Sequence, residues 1–236
     1  MAHLSLSTPH PSDLAAIRLT LERISAVPLA DWDRFADTAV AIHADPGTTV
    51  YQQGSRHPYI YFNLSGTLKV TVRSDQSERI QAFVRSREVI TPIAALAYSL
   101  PAFRRAEEFY GDQRGWEDPA PRKLPAEHAL ISIDEVHAVR FDLATLAQLF
   151  TQHLSWAQVG LATMSRYLIS HAARMHDLLV LAPQQRYEKI LTTEPDLVRL
   201  ISQRDLAHLL GITPESLSRI AARTRDQHRE SAIRTA

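Results

Sequence analysis

The sequence predicts an α+β protein: a β-roll in the N-terminal half, then a long helix, then a pair of short helices joined by a glycine turn. Three observations carry that prediction. From residue 40, short runs rich in Val, Ile, Tyr, Phe and Thr are punctuated at Gly47, Gly54 and Gly66, the pattern of short strands and tight turns. From Leu154 to Leu178 two apolar series recur every seven residues. In SQRDLAHLLGITPESLSRIA, residues 202–221, helix-start chemistry stands on both sides of a glycine.

Composition narrows the classes. A chain of 236 residues is comfortable for two modules. Hydrophobic content of 45% and charged content of 22% are ordinary for a soluble protein. No stretch approaches the roughly 18 apolar residues of a membrane span, and the N-terminus lacks the basic and apolar regions of a secretory signal. No membrane partner is therefore expected, and the expected compartment is the cytoplasm. The absence of cysteine excludes disulfides, thiolate-bound zinc, iron–sulfur clusters and thiol redox sensing. Lys and Arg total 26, balanced by 26 Asp and Glu, so any polyanion contact must come from local positive charge.

Taken in order, residues 1–39 read as helical, with Leu14, Ile17, Leu21 and Ile24 on one face and Pro28 marking a break. Strands follow, and Leu68, Val70 and Val72 alternate with Lys69, Thr71 and Arg73. Residues 78–90 and 128–141 add further strands. Between them, 101–127 has four prolines and two glycines together with Phe103, Phe109, Tyr110 and Trp116, and reads as an inserted surface loop or a pocket cover. Residues 143–181 read as helix, with Ala157, Met164, His171 and Leu178 in one heptad series and Leu154, Leu161, Leu168 and Met175 in another. That seam suits pairing with a second copy, or packing on the chain's own roll. Pro183 ends it.

The final 54 residues carry nine Arg and Lys against seven Asp and Glu. Ser202 and Asp205 form a capping pattern, Leu206 and Leu210 share a face, and Gly211 permits a sharp turn. Thr213 is placed as an N-cap, with Pro214 at the first helical position. Ala207 leaves room for the helices to cross. The outward side chains suit DNA: Arg can give paired donors to guanine, Glu can accept from cytosine, and hydroxyls can reach bases or phosphates. The candidate DNA-contacting residues are Gln203, Thr213, Glu215, Ser216, Ser218, Arg219 and Arg223. Arg225 and Arg229 continue the basic series, as phosphate contacts or as cations favoured at a helix C-terminus.

The glycine-punctuated stretch PGTTVYQQGSRHPYIYFNLSGTLKV, a long helix and QQRYEKILTTEPDLVRLISQRDLAHLLGITPESLSRI together resemble the Crp/Fnr superfamily of bacterial transcription regulators over nearly the whole chain. That resemblance implies a cyclic-nucleotide-binding-like β-roll at 1–148 with an insertion at 102–127. It also implies a dimerisation helix at 149–182 and a winged helix-turn-helix at 183–236. Double-stranded DNA and a second copy are the implied partners, with RNA polymerase a further candidate. The effector is not legible, and no cofactor is expected.

The sequence departs from the family at its ligand cassette. Cyclic-nucleotide binders hold the ribose with a Gly-Glu pair and the phosphate with an Arg followed by a small hydroxylated residue. Here Thr91 and Pro92 stand where Gly-Glu would fall, and neither Arg104 nor Arg105 precedes Ser or Thr. The expectation is a regulator that does not respond to cyclic AMP. His171 admits three readings: a polar seam residue, a pH-sensitive contact, or a haem ligand as in certain gas-sensing relatives. An enzyme of the cupin kind would need clustered histidines, whereas His43, His57, His128 and His137 are scattered singly along the sequence. A roll that binds proteins rather than DNA is the remaining alternative.

Overall fold

Strand alternation becomes a two-sheet roll. The computed structural model describes residues 3–74, 77–110 and 126–235. One sheet orders β1 (Leu4–Ser7), β2 (Val40–Ala44), β9 (Val136–Asp142), β4 (Tyr59–Ser65) and β7 (Val89–Ile90). The other orders β3 (Thr49–Tyr51), β8 (Ala129–Ser132), β5 (Leu68–Ser74) and β6 (Ser77–Val84). The described pairings are antiparallel. Gly66 makes the β4–β5 turn with φ of 80°, and a Cβ there would lie 2.2 Å from the Glu135 carbonyl oxygen, so no larger residue fits.

The chain divides into two compact units, Met1–Arg73 with Ala82–Met164 and Ser74–Gln81 with Ser165–Ala236. In the first, the period of two splits each strand between two cores. Val136 and Ala138 of β9 join Tyr51, Tyr61, Leu68, Val70 and Leu130 between the sheets. Val139 and Phe141, with Ile60 and Phe62 of β4, face a helical layer. That layer is α1 (Pro11–Ser25), α2 (Trp32–Ala36), α3 (Ile93–Ser99), α5 (Leu143–Gln152) and the start of α6 (Leu154–Val180), with α4 (Pro101–Tyr110) packed on α3. Its centre is aromatic: Phe35 stacks on Phe141 at 4.2 Å and meets Trp156 edge-on at 4.8 Å. The buried Trp156 indole N–H donates to the Ala30 carbonyl at 2.7 Å, so its one polar atom is satisfied.

Several sequence expectations change. The N-terminal stretch begins as strand β1, paired from Leu4↔Ala44 to Ser7↔Ala41. A four-residue edge strand takes its stability from its partner and leaves no periodic signal of its own. Residues 143–181 form two helices, because His153 is extended (φ −132°, ψ 126°). The break lets Trp156 and Val159 bury alongside Leu146 and Leu149. Of the segment 101–127, Pro101–Tyr110 is helical rather than loop, and Phe103 packs edge-on against Tyr98 at 5.1 Å. Trp116 and the side chains of Phe109 and Tyr110 lie outside the described residues.

In the second unit α7 (Pro183–Thr193), α8 (Pro195–Leu200), α9 (Gln203–Leu209) and α10 (Pro214–Thr235) follow one another. Among the described residues, 183–235 contains no strand of the expected wing. No Gly or Pro interrupts the sequence after Pro214, so α10 runs for 22 residues where a hairpin would need a turn. Among the described residues no helix is long and apolar enough to cross a membrane.

Candidate nucleic-acid interface

The helix-turn-helix is built as the local chemistry requires. The Ser202 hydroxyl accepts the Asp205 N–H at 3.0 Å and caps α9. Gly211, at φ of 70°, closes the C-terminus as a Schellman turn: its N–H donates to the His208 carbonyl at 3.2 Å, and the Ile212 N–H to Ala207 at 3.0 Å. Thr213 then caps α10 by accepting the Ser216 N–H at 3.2 Å. Leu206, Ala207, Leu210 and Leu217 are buried between the helices, and Ala207 and Leu217 are fully so.

This turn leaves the carbonyls of Leu209 and Leu210 without helical partners. Two arginines that the sequence reading did not single out take them. Arg174 of α6 donates from Nη2 to the Leu209 oxygen at 2.7 Å, and Arg186 of α7 from Nε to Leu210 at 3.1 Å. Arg186 also donates to the Leu181 carbonyl at 2.6 Å. Cations at a helix C-terminus suit its dipole as well as its orphan acceptors. Only an account of where each carbonyl at the turn goes would have pointed to them.

All seven candidate residues lie at the start of α9 or along the cap and first turns of α10. Gln203, Thr213, Glu215, Ser218, Arg219 and Arg223 are exposed, and Ser216 is half-buried. Ser216 links them: its hydroxyl is 3.1 Å from Thr213 Oγ1 and accepts from Arg219 Nη2 at 3.3 Å. The N–H of Glu215 itself, the Thr213 hydroxyl and the Arg219 charge hold the Glu215 carboxyl below its usual range. The face therefore presents an ionised acceptor and, one turn on, a cation set by a hydroxyl. The side chain of Arg229 lies outside the described residues.

Along α6 the two heptad series part company. Leu154, Leu161, Leu168 and Met175 are 76, 71, 68 and 62% exposed. Ala157, Met164 and His171 are half-buried. It is Trp156 and Val159, rather than Leu154, that pack on the roll. The His171 ring lies 4.0 Å from Tyr167, and partial burial, with Arg174 nearby, lowers its pKa. Among the described residues no group of three or more His, Asp or Glu side chains is placed to hold a metal ion.

The roll interior brings together histidines that the sequence scattered. The Tyr51 hydroxyl is 2.5 Å from His128 Nε2, and the Tyr61 hydroxyl bonds His57 Nε2. The His57 ring stacks on Tyr51 at 4.1 Å and on Tyr61 at 5.3 Å. Arg140 lies 4.1 Å over the Tyr59 ring. Burial, with Arg140 and His128 nearby, lowers the His57 pKa to about 4, and burial raises both Tyr51 and Tyr61. Thr91 is buried and donates to the Tyr59 carbonyl at 3.1 Å. Pro92 precedes α3, whose Ala94 N–H is taken by the Glu127 carboxylate at 2.8 Å. Arg104 and Arg105 are exposed on α4. His43 and His137, partners across β2 and β9, stack at 4.3 Å.

No family model and no curated protein matches the sequence. Solved structures do match in fold. One from Eubacterium rectale, assigned to the Crp/Fnr family of transcriptional regulators, is 12% identical with a TM-score of 0.64, covering 86% of this chain and 85% of that one. The c-di-GMP-responsive global regulator CLP of Xanthomonas campestris is 17% identical with a TM-score of 0.58, covering 83% and 91%. FixK2 of Bradyrhizobium japonicum is also 17% identical at 0.58, covering 80% and 86%. The chain has the fold of Crp/Fnr-type transcriptional regulators, a cyclic-nucleotide-binding-type β-roll followed by a long helix and a helix-turn-helix.

Proposed function

We propose that this chain is a sequence-specific DNA-binding transcription regulator that acts as a homodimer on an inverted repeat and does not respond to cyclic AMP. The observation that carries the reading is the capped helix-turn-helix, with Glu215 and Arg219 exposed one turn apart at the start of α10. In this reading α10 enters the major groove. Glu215 and Arg219 read base edges, while Gln203, Thr213, Ser216, Ser218 and Arg223 set the position on the backbone. In this reading residues 1–148 hold the sensor-type roll, α6 within 149–182 is the pairing helix and 183–236 are the DNA-binding module.

The dimer is supported by the uncovered Leu154, Leu161, Leu168 and Met175 series, a seven-residue apolar stripe of the kind that a twin helix covers. Indifference to cyclic AMP is supported by three features of the roll. No carboxylate stands at Thr91–Pro92 for a ribose, Glu127 already holds the α3 N-terminus, and the Tyr51, His57 and Tyr61 rings stack on one another in the interior.

The test is binding to a selected duplex measured by fluorescence anisotropy. Arg219→Ala and Glu215→Ala each weaken binding by about tenfold or more, the effect of losing a base-reading pair worth roughly 1–3 kcal/mol, with circular dichroism unchanged. Leu161→Glu with Leu168→Glu converts the dimer to monomer in sedimentation equilibrium. If both DNA-face variants bind like the parent, another surface reads the DNA; a module that only binds proteins shows no duplex preference in any variant.

A further inference from the structure

A cleft in the first unit shares no residue with the stacked rings inside the roll. Leu21, Phe35, Phe62, Phe150 and Trp156 line it, with almost entirely apolar surface, and Ile24 and Arg87 are its two exposed members and mark its mouth. The space within it is about 70 Å³. At roughly 25 Å³ for each heavy atom, the share benzene has in an apolar cavity of about 150 Å³, that holds about three heavy atoms. Gly160 keeps one wall open: a Cβ there would fall 3.0 Å from Phe150 Cζ and push the ring.

Arg87 is held at the mouth by its backbone. It sits at φ of 68°, a left-handed conformation that favours glycine. The turn is clamped to β4: the Arg87 N–H donates to the Asn63 carbonyl at 2.7 Å, and the Asn63 N–H to Glu88 at 3.0 Å. Among the described residues the Arg87 guanidinium has neither an ion pair nor a side-chain hydrogen bond. A cation fixed in an unfavourable backbone state, left without a partner at the rim of an apolar cleft, is complementary to an anion with an apolar body.

We propose that this cleft binds a small monocarboxylic acid, its apolar body of about three carbons among the Phe and Trp rings and its carboxylate on Arg87. The volume sets the length of the body and the single guanidinium sets the head group. The inference does not depend on DNA binding, and its test does not use DNA.

The experiment is titration of the full chain with sodium butanoate, butan-1-ol and butylammonium chloride, followed by calorimetry and by the NMR resonance of the Trp156 indole N–H. Butanoate binds saturably, shifts that resonance, and binds about tenfold tighter than butan-1-ol, the difference a charge-assisted contact makes. Butylammonium binds weakest. Arg87→Gly suits the left-handed backbone and so folds at least as well; it leaves butan-1-ol unchanged and brings butanoate down to the same affinity, whereas Arg87→Lys keeps the preference. Absence of saturable butanoate binding, equal affinity for butanoate and butan-1-ol in the parent, an unshifted Trp156 resonance, or a preference that survives Arg87→Gly would each overturn the proposal.

Discussion

The helix-turn-helix and the interior of the roll are both assembled from ordinary residues, yet they are specified over very different distances. The hydrogen bonds that shape the α9–α10 turn, apart from those of the two arginines, join residues within a few positions: Ser202 with Asp205, Ala207 with Ile212, Thr213 with Ser216. Inside the roll, Tyr51 bonds His128 across 77 positions and His43 meets His137 only through the β2–β9 register. The first kind of order is written as local spacing; the second exists only once strands have paired. The teaching is that a site's legibility depends on the sequence separation of its parts, independently of how well ordered it is.

Three substitutions test that contrast, in descending order of cost. Leu217→Ala empties a fully buried position between α9 and α10 and costs about 3 kcal/mol in urea unfolding. A cost under about 1 kcal/mol would mean that the pair is held by its caps rather than by its core.

The second is read by pH. Because the folded pKa of His57 is about 4 against an ordinary value of roughly 6.5, the unfolded chain binds a proton between those limits that the folded chain does not. The His57 contribution is fully present above about pH 6.5 and is lost as pH falls towards 4, by roughly 2 kcal/mol after allowance for partial exposure. Replacing the residue by Asn flattens that part of the parent's urea-midpoint profile. An unchanged slope would show that the ring is not enclosed by Tyr51 and Tyr61.

The smallest effect is local. Ser202→Ala removes the α9 cap and costs about 1 kcal/mol, measured by the same unfolding. A loss several times larger would show that this turn, too, rests on distant contacts.

The strands, the β-roll, the long helix and both caps of the helix-turn-helix were legible, because alternation, heptads and N-cap residues act over a few positions. The break at His153 was not: α5 and α6 both have helical composition, and only the burial of Trp156 beside Leu149 decides where the chain bends. Strand β1 was lost for a similar reason, since its four residues are defined by β2. The wing came from family likeness, and among the described residues α10 continues to Thr235 without a strand. Of the candidate site, the seven outward residues could be named from helical position alone. Arg174 and Arg186 could not, because what recruits them is a pair of orphan carbonyls at Leu209 and Leu210.

The most direct measurement is selection of random duplex DNA by the purified, effector-free protein, with sequencing of the retained pool. Enrichment of an inverted repeat whose half-sites lie about one helical turn, ~34 Å, apart is the expected result, and Arg219→Ala removes it. A pool that stays random with and without added butanoate, although the protein is folded and dimeric, would contradict the claim that this helix-turn-helix reads DNA.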